Sequence, residues 1–114
     1  MVQNRIDVLS VPIDVVTMTE AVDRVLSFVG QEGLHTVATA NAEMVMMAQE
    51  NQRLFEVLQR ADLVVPDGAG VLWAAEQVGK QFPERVTGCD LLQHLLKAAQ
   101  MHNIKVYCVG GAEG

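Results

Sequence analysis

The chain has 114 residues, enough for one domain, and half of them are hydrophobic, so it can bury a core. Its net charge of −6, with eight scattered basic residues, excludes a general nucleic-acid surface, which needs clustered Lys and Arg. A single phosphate-bearing small molecule remains open, because it needs only one or two cations and some backbone N–H groups. No run of 18 apolar residues exists, and MVQNRIDVLS lacks the basic start and apolar centre of a signal peptide, so a cytoplasmic protein is expected.

In chain order, Asp7–Leu9 and Ile13–Val16 are short β-like runs around Ser10-Val11-Pro12 that fit a small hairpin. Thr17 and Glu20 have the spacing of a capping box, and the helix after them carries Val22, Val25, Leu26 and Val29 on one face. Thr36–Thr39 follows as a strand. Residues 41–60 read as helix, broken near Asn51, with Met44–Met47 apolar on every side and therefore expected to be deeply buried. Leu63–Val65 is a strand ended by Pro66, and Gly70–Val78 is a short helix around Trp73, which is expected in the core with the methionines. A loop over Gly79–Thr87 leads to a helix striped by Leu91, Leu92, Leu95, Leu96 and Ala99. Ile104–Val109 reads as the last strand, before Gly110-Gly111-Ala112-Glu113-Gly114.

This alternation implies an α/β fold: a Rossmann-like parallel sheet with flanking helices and right-handed crossovers, preceded by a short N-terminal hairpin. Residues 1–114 are read as the N-terminal part of one domain that looks truncated. A Gly-rich turn after a strand ordinarily leads into a covering helix, and here none follows. An exposed apolar surface and self-association of the isolated chain are the expected consequences.

Two polar clusters follow strands directly: Thr39 and Asn41 after the first, and Asp67, Gly68 and Gly70 after the second. Loops leaving the carboxyl ends of parallel strands share one edge, and ligands bind there. Asp67 can be a general base or a sugar-hydroxyl anchor, and equally an Asx-turn or helix cap. Asn41 can hold a ligand, cap the helix beginning at Ala42, or do both. Gly68 and Gly70 permit close backbone approach, and they also suit any tight turn. Arg85, in FPERVTG, is a phosphate-binding candidate, although loop arginines are commonly just solvated. Asp90 reads as the cap of the next helix.

His35, His94 and His102 are poorly placed for catalysis. Cys89, at a helix start, has no His partner in sequence, and Cys108, in VYCVGG, reads as a buried thiol. The glycine patterns DGAG and GGAEG do not match the dinucleotide fingerprint. The chain has no Walker A sequence, no DxD pair and no Cys/His metal spacing, so neither metal nor cofactor is expected.

TANAEMVMMAQEN, ADLVVPDGAGVLWAAEQVG, PERVTGCDLLQHLL and VYCVGGAEG occur in the order seen in the WecG/TagA/CpsF glycosyltransferases (glycosyltransferase family 26). The opening VLSVPIDVVTMTEAVDRV also resembles that family's start. The likeness covers nearly the whole chain but only about the first half of the family's domain. It implies transfer of N-acetylmannosamine, or its uronic acid, from a UDP-sugar to an undecaprenyl-diphosphate-linked N-acetylglucosamine in cell-surface polysaccharide or teichoic acid synthesis.

The resemblance places the family's threonine and its base aspartate on Thr39 and Asp67, its asparagine on Asn41 and its PERV arginine on Arg85. The N–H groups near Gly110 and Gly111 are then expected to help hold the leaving nucleotide. The resemblance further implies catalysis without a DxD metal site and peripheral contact with the inner face of the cell membrane through a carboxy-terminal appendage beyond this chain. Two rivals stand beside it: a non-catalytic nucleotide-sugar-binding or assembly module, and a nucleotide-binding oxidoreductase suggested only by α/β order and glycine turns.

Overall fold

The computed structural model describes residues 4–110. Strands β1 (Arg5–Val8) and β2 (Val11–Asp14) pair antiparallel, with Val8 opposite Val11. The two-residue turn between them has positive φ at both Leu9 and Ser10, the mark of a type I′ connection, whose twist matches that of the strands. The hairpin expected from the sequence is therefore present, displaced by about two residues toward the N-terminus.

Helix α1 (Met18–Val29) starts with the expected capping box: Thr17 Oγ1 accepts from the Glu20 N–H, and the Glu20 carboxylate accepts from the Thr17 N–H. Two orphan donors of the first turn are thereby satisfied. Strand β3 (Val37–Ala40) then enters α2 (Ala42–Glu50), and Asn51 separates α2 from α3 (Gln52–Arg60) by capping the latter through Leu54 N–H. Strand β4 (Leu63–Pro66) pairs parallel with β3, Thr39 lying opposite Val65 and Ala40 opposite Pro66. Helices α4 (Ala69–Gln77) and α5 (Gly88–Met101) complete the ordered elements. The chain is thus α/β, with a two-stranded parallel sheet and a separate hairpin among the described residues.

The period-two alternation of the strands divides the core between the two faces of the sheet. Ala40 and Val64 face the hairpin residues Ile6, Val8, Val11 and Ile13, together with Val45, Ala48, Leu58, Val71 and Ala75 of α2, α3 and α4. Leu63 and Val65 face the other way, against Val16, Ala21 and Val25 around α1 and Val86, Leu91 and Leu95 around α5. Aliphatic burial on both faces explains why all four residues of β4 are buried.

The outer edge of β4 is closed by polar groups. The Asp14 carboxylate, fully buried, accepts from the Val64 N–H at 2.7 Å and pairs with Arg5 at 2.9 Å and Arg24 at 3.3 Å. Arg5 also donates to the Ala61 carbonyl and Arg24 to the Asp62 carbonyl. Pro66 has no N–H, and its carbonyl accepts from the Val86 N–H at 2.9 Å. No further strand can pair there.

Several expectations are corrected. Residues 104–109 form no strand: Tyr107 and Val109 are exposed, Val106 is half-exposed, and the segment pairs with neither described sheet, so its apolar alternation has no ladder to join. Cys108, in the same segment, is exposed rather than buried. Met46 and Met47 point outward, since α2 has one buried face, marked by Val45 and Ala48. Trp73 is 61% exposed because Val71 and Ala75 take the inward positions of α4. No helix among the described residues is long and apolar enough to cross a membrane.

Candidate active site

The site grows from three chain reversals at the carboxyl edge of β3 and β4. After Ala40, Asn41 adopts an extended conformation and its side-chain oxygen accepts from the Met44 N–H at 2.8 Å, capping α2. After Pro66, the Asp67 N–H bonds the Ala40 carbonyl at 3.0 Å, which extends the parallel ladder by one residue. Gly68 then turns the chain into α4 with φ 109° and ψ 153°, a region open essentially to glycine alone. A Cβ at Gly68 would lie 3.7 Å from the Asn41 Cβ.

The third reversal comes from the loop before α5. Glu84 accepts a hydrogen bond from the Met18 N–H, and the Val86 bond to Pro66 holds the loop along β4. Thr87 caps α5 by accepting from the Asp90 N–H at 3.2 Å. The cap is thus Thr87 rather than Asp90, whose carboxylate lies in the first turn, where it suits the helix dipole. The Gly88 N–H donates to Asp67 Oδ2 at 3.3 Å. A methyl group at Gly88 would sit 3.2 Å from Thr39 Cγ2 and 3.5 Å from Asp67 Oδ2, so Thr39, Asp67 and the start of α5 are immediate neighbours.

The N-termini of α2, α4 and α5 therefore gather around Thr39, Asn41 and Asp67. Each brings N–H groups and the positive end of a helix dipole, an arrangement suited to negative charge. Asp67 and Thr39 are half-buried, while Asn41 is exposed. Gly70 packs so tightly on α2 that a Cβ there would lie 2.8 Å from the Ala42 Cβ, which fixes the spacing of the two helix starts. Arg85 is exposed one residue before Val86 and so lies by the same end of β4.

Gly110 is not brought into this cluster: no strand carries it there, and nothing lies within 4 Å of where its Cβ would be. Gly111 lies outside the described residues. Gly88 joins the site although it was not singled out from the sequence; it lies within PERVTGCDLLQHLL, one of the stretches that carry the family resemblance. Among the described residues no group of three His, Cys, Asp or Glu side chains converges as a metal site.

The model of the glycosyl transferase WecG/TagA/CpsF family matches residues 6–114. The chain belongs to the WecG/TagA/CpsF family. Proteins of Staphylococcus aureus strains NCTC 8325 / PS 47, COL and MRSA252, each named N-acetylglucosaminyldiphosphoundecaprenol N-acetyl-beta-D-mannosaminyltransferase, are 30% identical to it over 108 residues. The matched stretch is 93% of this chain and 42% of each relative, so the chain spans less than half the length of these WecG/TagA/CpsF proteins.

Proposed function

We propose that this chain carries the catalytic edge of an inverting hexosyltransferase. The enzyme moves N-acetylmannosamine, or its uronic acid, from a UDP-sugar to undecaprenyl-diphosphate-linked N-acetylglucosamine. The observation that carries this reading is the gathering of Asp67, Thr39 and Asn41 at one sheet edge beneath three helix N-termini, in a chain whose relatives bear that transferase name.

In this reading, Asp67 accepts the proton of the acceptor's 4-hydroxyl while that oxygen attacks the donor's anomeric carbon. The anomeric bond to UDP breaks in the same displacement, the configuration inverts and UDP leaves with the electron pair. The Gly88 N–H, by bonding one carboxylate oxygen, holds Asp67 in place and leaves the other for the hydroxyl. Thr39 and Asn41 orient sugar hydroxyls. Backbone N–H groups at Gly68 and Gly70 and the Arg85 guanidinium oppose the charge growing on the diphosphate. The enzyme works at the inner face of the membrane, where its lipid-linked acceptor resides.

The test is transfer by the domain of full family length containing this chain, given UDP-N-acetylmannosamine and a short-chain polyprenyl-diphosphate N-acetylglucosamine. A β-linked disaccharide product supports the reading. UDP binding with unaltered donor would instead identify a non-catalytic module.

A further inference from the structure

The loop from Phe82 to Val86 passes over the carboxyl end of β4, from one face of the sheet to the other. Phe82 is buried in the core shared with the hairpin, and Val86 in the opposite core with Leu63, Val65 and Leu91. Between these two apolar anchors lies a polar tie: the Glu84 carboxylate accepts from the Met18 N–H.

Met18 opens α1, and its N–H is among the donors that a helix start leaves without an internal acceptor. The capping box satisfies the Thr17 and Glu20 N–H groups and does not reach Met18. The acceptor comes instead from 66 residues along the chain. It is an anion at the positive end of the α1 dipole, so the bond is charge-assisted.

The neighbour on the other side is fixed as well, since the Val86 N–H donates to the Pro66 carbonyl at 2.9 Å. Arg85 thus stands between two tied residues with its own side chain exposed at the edge that holds Asp67. An anion that meets this guanidinium has only the side chain left to order, because the backbone is already held. The tie also engages the Glu84 charge, which as a free neighbour of Arg85 would compete with an anionic ligand for the guanidinium.

We propose that Glu84 is a positioning residue, which acts through Arg85: by capping α1 it sets the Arg85 backbone and keeps its own carboxylate off the guanidinium, so that Arg85 meets the diphosphate of the nucleotide. The diphosphate rests on the transferase reading above; the tie between the loop and α1 does not.

The experiment measures UDP affinity by calorimetry, with kcat for sugar transfer beside it, in the domain of full family length. Glu84→Ala should weaken UDP binding about tenfold and lower kcat with it, as misplacement of a binding group does. Glu84→Gln keeps an oxygen for the Met18 N–H and should stay within about threefold of the parent. In an Arg85→Ala background, Glu84→Ala should change UDP affinity by less than about twofold, since nothing is left to position. Glu20→Ala breaks the capping box of the same helix and spares the tie, so it should lower Tm and leave UDP affinity within about twofold. Amide exchange without ligand should show Met18 protected in the parent and in Glu84→Gln, and exposed in Glu84→Ala.

Unchanged UDP affinity in Glu84→Ala overturns the proposal. Equal losses from Glu84→Ala with and without Arg85 overturn it too, because they mark a merely structural role. So does a Met18 amide that exchanges freely in the parent, a result that needs no variant to fold. A parent that binds UDP but transfers no sugar fails the transferase reading alone, and one without UDP affinity overturns both.

Discussion

Replacing Asp14 with alanine should damage stability more than any other single carboxylate change among the described residues. The side chain is fully buried between Arg5 and Arg24 and accepts the Val64 N–H, so its loss strands two cations and one backbone donor. Breaking a buried ion pair by removing one partner costs about 3–5 kcal/mol. The Arg5 and Arg24 side chains keep 21% and 26% of their exposure and can regain some water, which sets the expected loss near the lower end, about 3 kcal/mol. For a domain of this size that corresponds to a fall in Tm of roughly 12 °C. Urea unfolding followed by circular dichroism measures it, with the exposed Asp23→Ala as a control expected within about 0.5 kcal/mol of the parent. A double-mutant cycle with Arg5→Ala should show coupling of at least about 1 kcal/mol. A loss below about 1 kcal/mol with no coupling would refute the view that this cluster ties the hairpin to β4.

Three further outcomes follow from local geometry. Gly70→Ala places a methyl 2.8 Å from the Ala42 Cβ and must push α4 off α2, so a loss of about 1–3 kcal/mol and weakened UDP binding are expected in calorimetry. Leu9→Asn with Ser10→Gly puts residues that favour positive φ into the type I′ turn, and thermal unfolding should show a gain of about 1 kcal/mol. The backbone N–H of Thr36, bonded to the Asp62 carboxylate at 2.9 Å, holds that carboxyl below its ordinary value of 3.8, with His35 adding to the effect against some desolvation. A lowered folded-state value means the contribution is present above 3.8 and is lost as the pH falls through the lowered value; Asp62→Asn should therefore flatten the acid end of the stability curve below about pH 4.

Local signals were legible in the sequence. The Thr17–Glu20 box, the Asn51 break and the Asn41 cap are contacts within four residues, and each stands where its spacing puts it. The union of Thr39 with Asp67 also followed, because parallel pairing needs only strand order and handedness. What the sequence did not disclose depends on partners far along the chain. Asp14, inside the run Ile13–Val16, carries no signal of its own until Arg24 and Val64 are brought to it. Gly88 becomes a donor to Asp67 only because Val86 docks on Pro66. Met46, Met47 and Trp73 are apolar by type, yet short helices with one inward face leave them outside. The segment 104–109 shows the same limit: its pattern suits a strand, but pairing belongs to the edge it meets.

The central claim is that Asp67 removes the acceptor proton, and the most direct measurement is the turnover of Asp67→Asn in the domain of full family length. Asparagine keeps the size of the side chain and an oxygen for the Gly88 N–H, so folding and UDP binding should be close to those of the parent. The account predicts a fall in kcat of at least about a hundredfold at unchanged UDP affinity, as expected when a general base is removed. Near-normal turnover in a folded, UDP-binding variant would contradict the claim and remove Asp67 as the base.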